Sequence, residues 1–280
     1  MEPPVSAMRP PLYSPMSVEG QTVLITGATA GIGEATAWRF AEAGAKLVLL
    51  GRRTERLEAL KRALSEAYPS LLEVCCVTFD VQAIARIAEL PTELPESHRF
   101  VDILVNNAGL ALGVAGVAEN DMEQVRQMMD TNVTAVIAFS RAFIPGMRSR
   151  GRGHLINIGS IAGHEAYAGG SAYCATKYAI DGFTTAARHD LLGTPIRVTA
   201  ISPGMVNTEF STVRFQGDKS TADKVYQDIE ALVAADIADN VLYAATRPKH
   251  VQIADMVVLA TNQSAAKSIA RVGPSLGGPK

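Results

Sequence analysis

The chain has 280 residues, 48% of them hydrophobic and 19% charged, with a formal net charge of -2. That length and composition suit a globular core and exclude a disordered chain. The near-neutral balance supplies no basic field for nucleic acid or anionic lipid, and no apolar run approaches the ~20 residues of a membrane span.

Residues 1–17 open with Met-Glu-Pro-Pro-Val-Ser-Ala-Met-Arg-Pro-Pro and read as a Pro-rich, mobile extension. They lack the apolar run of a signal peptide and the Arg content of a transit peptide. Thr22–Thr26 is a short β-branched run, as in a buried parallel strand. It leads into Gly27-Ala-Thr-Ala-Gly31-Ile-Gly33 and then a helix closed by Gly44. Strand, glycine turn and helix together make a phosphate-binding loop, because glycines let the backbone approach and the helix start offers free N–H groups. No Gly-Lys-Ser/Thr follows, so the loop is a dinucleotide variant and not a P-loop.

Lys46–Leu50 is the second strand, and it ends in Gly51-Arg52-Arg53. NAD sites place Asp or Glu here for the ribose hydroxyls, whereas NADP sites need room and positive charge for the 2′-phosphate. Gly51 leaves the acidic position empty, and an arginine fork suits phosphate. One of the two arginines can equally be the solvated start of a helix over 54–66. The third strand, 72–79, contains Cys75 and Cys76, whose side chains point to opposite faces. With Cys174 they make no disulfide framework, which fits a reducing compartment, the cytoplasm.

Asp80-Val81 ends that strand. Asp80 lies in the ligand crevice of such sheets, or caps a helix starting at Val81, or does both. The fourth strand, 100–105, runs into Asn106-Asn107-Ala108-Gly109, amides and small residues that fit a floor for a flat ring. Asp121–Arg150 reads as one long helix that Pro145 should kink or loosen near its end. Within it Asn132, taken alone, reads as a satisfied core amide. Strand five, 153–158, ends at Gly159-Ser160. A helix from Ser171 to Leu192 carries Tyr173 and Lys177 one turn apart on one face. An ammonium near a phenol favours the phenolate, and a serine hydroxyl can hydrogen-bond a substrate oxygen.

Strand six, 197–201, leads to Pro203, Gly204, Val206 and Thr208. Residues 209–224 read as a mobile lid, followed by helices near 222–235 and 238–246 and a last strand at 252–259. Residues 263–280 read as a C-terminal tail. Each functional candidate outside the helices thus falls just past the carboxyl end of a strand, where open parallel sheets bind ligands.

In this order, Thr26-Gly-x-x-x-Gly-x-Gly33, Asp80, Asn106-Asn-Ala-Gly109, Asn132, Ser160, Tyr173-x-x-x-Lys177 and Pro203-Gly204 resemble the classical short-chain dehydrogenases/reductases over residues 18–262. The resemblance implies an α/β fold: one Rossmann-type, doubly wound parallel sheet with helices on both faces. It makes Tyr173 the proton donor and acceptor, and Lys177 the residue that lowers its pKa and holds the nicotinamide ribose. Ser160 would polarise the carbonyl, and Asn132 would support a water relay. Cofactor contacts fall on Gly27, Thr29, Ala30, Gly31, Ile32, Gly33, Arg52, Arg53, Asp80, Val81, Asn107, Ala108, Gly109, Pro203, Gly204, Val206 and Thr208. A homotetramer built on the helices at 121–150 and 173–192 is also implied, with no metal.

A narrower likeness lies in Gly-Arg-Arg-x-Glu-Arg-Leu, Tyr-Ala-Gly-Gly-Ser-Ala-Tyr and Thr-Glu-Phe-Ser-x-Val-Arg-Phe-x-Gly-Asp. These are similar to the NADP-dependent 3-hydroxy acid dehydrogenases, which act on serine, L-allo-threonine and related 3-hydroxy or 3-oxo acids. The chain departs from that branch in its N-terminal extension and at Asn207. A substrate carboxylate needs a cation when enclosed. Arg214 is the candidate clamp, the alternative being a solvated lid arginine. A broader carbonyl reductase is the competing enzymatic reading, and an idle dinucleotide sensor the competing non-enzymatic one.

Overall fold

The structure is a computed structural model that describes residues 14–69 and 73–273. Most of the N-terminal extension, the first residue of the expected third strand and the last seven residues lie outside the described residues. β1 (Thr22–Thr26), β2 (Lys46–Gly51), β3 (Val74–Thr78), β4 (Val101–Asn106), β5 (Gly153–Ile158) and β6 (Ile196–Pro203) lie in one parallel sheet. A separate short pair joins β7 (Val206–Asn207) to β8 (Leu232–Val233), and β9 (Asp255–Val258) completes the seven-stranded sheet in the order β3-β2-β1-β4-β5-β6-β9. The order reverses between β1 and β4, which opens a crevice at their carboxyl ends.

The central strands read as continuous apolar runs because helices cover both faces of the sheet. Val23 and Ile25 of β1 enter one core with Phe40, Leu57 and Val241, while Leu24 between them enters the other with Phe139 and Phe143. The first layer comes from α1 (Gly31–Glu42), α2 (Thr54–Ala67) and α10 (Ala234–Ala245); α6 (Ala135–Ser149) and α7 (Ser171–Asp190) form the second. Phe40 and Phe139 are fully buried, and each such side chain contributes about 1.5–3 kcal/mol relative to exposure.

Several expected elements differ in detail. No helix starts at Val81. Instead the Asp80 carboxylate accepts from the Gln82 N–H at 3.0 Å, and two single-turn helices follow, α3 (Ile84–Ile87) and α4 (Leu90–Glu93). The long helix at 121–150 is interrupted: α5 (Met122–Met129) passes through a π-helical turn at Asp130–Thr134 before α6 begins. Asp121 caps it by accepting from Glu123 N–H at 2.9 Å, and Pro145 lies inside α6, which continues to Ser149.

The lid contains two helices, α8 (Glu209–Arg214) and α9 (Lys219–Val225). Thr208 and Asp218 start them by accepting from Phe210 N–H and Thr221 N–H, the local bonds that Thr and Asp offer at helix starts. The helix expected at 222–235 is not continuous, because Leu232-Val233 pairs with Val206-Asn207. β9 is shorter than expected at its start, where the Gln252 side chain accepts from Val198 N–H at 2.7 Å. Residues 263–273 return to the body: Ala266 N–H donates to Glu165 at 2.9 Å and Gly273 N–H to Asp228 O at 3.1 Å. Among the described residues no helix is long and apolar enough to cross a membrane.

Candidate active site

The carboxyl ends of β1, β2, β4, β5 and β6 surround one cleft. Gly27, Thr29, Ala30, Gly31 and Ile32 line one wall; Arg52, Arg53, Asp80 and Val81 close one end, and Asn107, Ala108 and Gly109 form the floor. Ser160, Tyr173, Lys177, Pro203, Gly204, Val206 and Thr208 complete it. Besides Asn106, three of the residues singled out from sequence, Gly33, Asn132 and Arg214, do not line this cleft.

Each of the three has another place. A Cβ on Gly33 would lie 2.4 Å from the Gly27 carbonyl oxygen and 2.5 Å from Asn107 Nδ2, so Gly33 permits the loop to close on α1. Gly31 has φ +56°, a left-handed conformation that favours glycine. Asn132 sits in the π turn, 2% exposed. Its Oδ1 accepts from Leu110 N–H at 2.9 Å, and its Nδ2 donates to Leu110 O at 2.8 Å and Thr176 Oγ1 at 3.0 Å. The amide thereby locks the chain after Gly109 to α7. Arg214 donates to Gly113 O, Tyr167 Oη and Gly169 O. It is therefore a staple between the lid and two loops, not a solvated arginine.

The floor is fastened through Thr26. Its Oγ1 accepts from the N–H groups of Asn107 and Ala108 at 3.0 Å each, while Asn107 Nδ2 donates to Thr26 O at 2.9 Å. Asn106 takes no part in the floor: its Nδ2 donates to buried Asn157 on β5 at 2.9 Å. At the far end, Arg53 is braced by Thr29 Oγ1 and Thr29 O. A Cβ at Gly51 would meet Thr29 Cγ2 at 2.5 Å, so a side chain at the end of β2 would have to displace Thr29, which braces Arg53. Arg52 is mostly exposed, 4.0 Å from Asp80.

At the reacting end, the Ser160 hydroxyl hydrogen-bonds the buried Tyr173 phenol and accepts from Ala162 N–H at 3.1 Å. Lys177 Nζ donates to Ile158 O at 2.9 Å and lies 5.9 Å from the Tyr173 ring centroid. Burial pushes the phenol's pKa well above its usual range against the lowering bond from Ser160, and pulls the Lys177 ammonium down to about 8. Burial is the largest influence on the phenol, and the lowering contributions come from Ser160 and Arg214. Tyr173 is accordingly protonated at neutral pH and poised to donate.

Several residues of the site carried little sequence signal. Leu110, Thr131, Ile158 and Gly159 flank the motifs, and Glu209, Phe210 and Val213 descend from the lid. Phe210 packs on Tyr173, with ring centroids 5.7 Å apart. The Arg214 guanidinium lies 5.7 Å from the Tyr167 ring centroid and 5.9 Å from that of Tyr173. Lys267, from the returning C-terminal segment, lies 4.5 Å from the Tyr167 centroid. Its place depends on a turn far along the chain, which no local pattern announces.

The short chain dehydrogenase family model matches residues 21–219. The NADP-dependent 3-hydroxy acid dehydrogenase of Schizosaccharomyces pombe is 42% identical over 255 residues, covering 91% of this chain and 98% of that protein. The NADP-dependent 3-hydroxy acid dehydrogenase YdfG of Salmonella typhi is 47% identical over 245 residues, covering 87% and 96%. Among solved structures, the closed form of serine dehydrogenase complexed with NADP+ superposes with a TM-score of 0.83 at 42% identity, covering 93% of this chain and all of that one. By its motifs, its sheet and these likenesses, the chain belongs to the short-chain dehydrogenase family.

Proposed function

We propose that the chain is an NADP(H)-dependent dehydrogenase/reductase that interconverts small 3-hydroxy acids with their 3-oxo acids or semialdehydes. The observation that carries this reading is the gathering of Ser160, Tyr173 and Lys177 in one cleft, with the Arg214 guanidinium 5.9 Å from the Tyr173 ring centroid and Lys267 beside the neighbouring Tyr167. Relatives named for NADP-dependent 3-hydroxy acid and serine dehydrogenation support it.

The cleft fits NADP(H). Gly27 and Gly31 and the start of α1 form a cradle for the pyrophosphate, Arg52 and Arg53 offer forks for the 2′-phosphate, and Gly51 brings no competing carboxylate to the end of β2. When bound, NADPH supplies the hydride for a carbonyl carbon. Tyr173 donates its proton to the carbonyl oxygen, and the Ser160 hydroxyl orients that oxygen. Asn132 fixes Leu110 and Thr176 and so the floor and the helix that carry the reacting groups. Phe210 covers Tyr173 and excludes water from one side. Arg214 and Lys267 supply the cationic end for a substrate carboxylate. Neither has an ion-pair partner among the described residues, and their mutual repulsion adds to burial in lowering the Lys267 pKa. We assign residues 18–262 to this catalytic domain and expect a homotetramer in the cytoplasm.

Arg214→Leu tests the carboxylate end. We expect kcat/KM for serine to fall roughly 10- to 150-fold, the range for a lost charged hydrogen bond, with a smaller loss for a neutral alcohol of similar size. Because Arg214 also staples the lid, both substrates should lose something. An equal loss would remove the clamp and favour a broader carbonyl reductase.

Lys177 provides a pH test. Its folded pKa of about 8 is below the ordinary 10.5. Between these values the unfolded state binds more protons, so this group's destabilisation fades as pH rises. A depression of this size corresponds to at most on the order of 3 kcal/mol, against about 1 kcal/mol for the lost bond to Ile158 O. Lys177→Met should therefore melt higher than the parent at pH 7, lose that advantage progressively as pH rises from about 8 towards 10.5, and have little activity. Thermal denaturation from pH 6 to 9 measures it. A variant less stable at every pH would refute the account.

A further inference from the structure

Glu209, the first residue of α8, lies in the same cleft as Arg53 and bridges two arginines of the opposite wall. Its Oε2 accepts from Arg53 Nη1 at 2.8 Å, and its Oε1 accepts from Arg56 Nη1 at 2.6 Å. Arg53 is held in place independently, since its Nε and Nη2 donate to Thr29 Oγ1 and Nη2 also to Thr29 O. The carboxylate therefore does not build the phosphate-binding fork. It occupies the free edge of a fork that Thr29 already positions.

We propose that Glu209 is a specificity-determining residue that competes with the cofactor's 2′-phosphate for Arg53 and Arg56, so that the phosphate must displace a resident carboxylate. The inference rests on the NADP reading given above. Its logic is exchange of like for like: a carboxylate and a phosphate both bind a guanidinium by two oxygens, and two anions on one fork repel. A nucleotide without the 2′-phosphate meets no such competition. The two arginines lower the Glu209 carboxyl's pKa, so the competitor is fully charged at neutral pH. The side chains are about half exposed, which keeps the effect modest.

Displacement has a structural corollary. The residue after Glu209 is Phe210, which packs on Tyr173, and Thr208 caps the same helix. Release of Glu209 from Arg53 frees the first turn of α8 at the moment the cofactor is loaded, while Arg214 continues to tie its other end to Gly113 and Gly169.

Calorimetric titration of NADPH and NADH into the wild type, Glu209→Gln and Glu209→Ala at fixed ionic strength tests the proposal, with thermal denaturation as a control for folding. The NADPH Kd should fall about 1.5- to fivefold in both variants, the worth of an exposed ion pair, with the NADH Kd unchanged. An NADPH Kd that stays the same or rises, in a wild type that prefers NADPH, overturns the proposal alone. Equal shifts for both nucleotides overturn it too, since they mark a structural role. Equal affinity of the wild type for the two nucleotides overturns the NADP reading and the proposal with it.

Discussion

Tyr173→Phe should lower kcat for carbonyl reduction by roughly a hundred- to ten-thousand-fold, the contribution typical of a positioned general acid. NADPH binding, followed by nucleotide fluorescence, should be retained. The substitution removes one oxygen and leaves the ring that packs against Phe210 and faces Lys177 and Arg214. The phenol is buried and bonded to Ser160, and it holds its proton through neutral pH. It is thus charged with one transferable proton in the reduction direction, and phenylalanine has none. Retained turnover would move the proton donor elsewhere. Loss of both turnover and NADPH binding would mean that the oxygen's role is architectural.

Gly33→Ala should act on stability and cofactor affinity together. The added methyl would stand 2.4 Å from the Gly27 carbonyl oxygen and 2.9 Å from its carbon. Both are backbone atoms of the turn itself and cannot rotate aside. It would also meet Asn107 Nδ2, which bonds Thr26 O. Relieving the overlap must push α1 away from β4 or break the fastening of the floor. Overpacking of this kind costs about 1–3 kcal/mol, so the melting temperature should fall and NADPH titrations should show weaker binding. Gly182→Ala is the matched control: its Cβ would meet nothing within 4 Å and its backbone is helical. If Gly33→Ala keeps both the parent's melting temperature and its NADPH affinity, the close approach is not a constraint.

Local patterns made most of the frame legible. β1, β5 and the start of α7 fall where apolar runs and small-residue boundaries place them, because strands buried on both faces must be continuous and apolar. The dinucleotide loop was readable for the same reason: strand, glycines and helix constrain one another within a dozen residues. The parts that were not readable depend on distant partners. Asn106 and Asn107 are neighbours in a strand-end motif, yet one turns to Asn157 and the other to the floor. Their alternation follows from strand geometry, but their roles follow from what lies opposite. The lid reads as mobile because it is polar and contains glycine; the capping bonds of Thr208 and Asp218 start two short helices within it. Lys267 was invisible, since its position depends on a C-terminal segment pinned by Glu165. Burial of the phenol is likewise a property of the whole fold, whereas spacing gives only its proximity to a lysine.

The π turn at Asp130–Thr134 has a geometric consequence. A regular α-helix turns about 100° per residue, so a π turn stores one residue's worth of rotation between two segments of a continuous rod. Met128, before it, faces the cluster around Tyr173, while Phe139 and Phe143, beyond it, face the sheet. The turn acts as a phase coupling between these two registers. Removing one residue there would leave a longer uninterrupted helix with good hydrogen bonds, yet one in which either the sheet face or the Tyr173 face is rotated out of alignment. The rod can be regular or it can serve both surfaces, and this chain is built for the second.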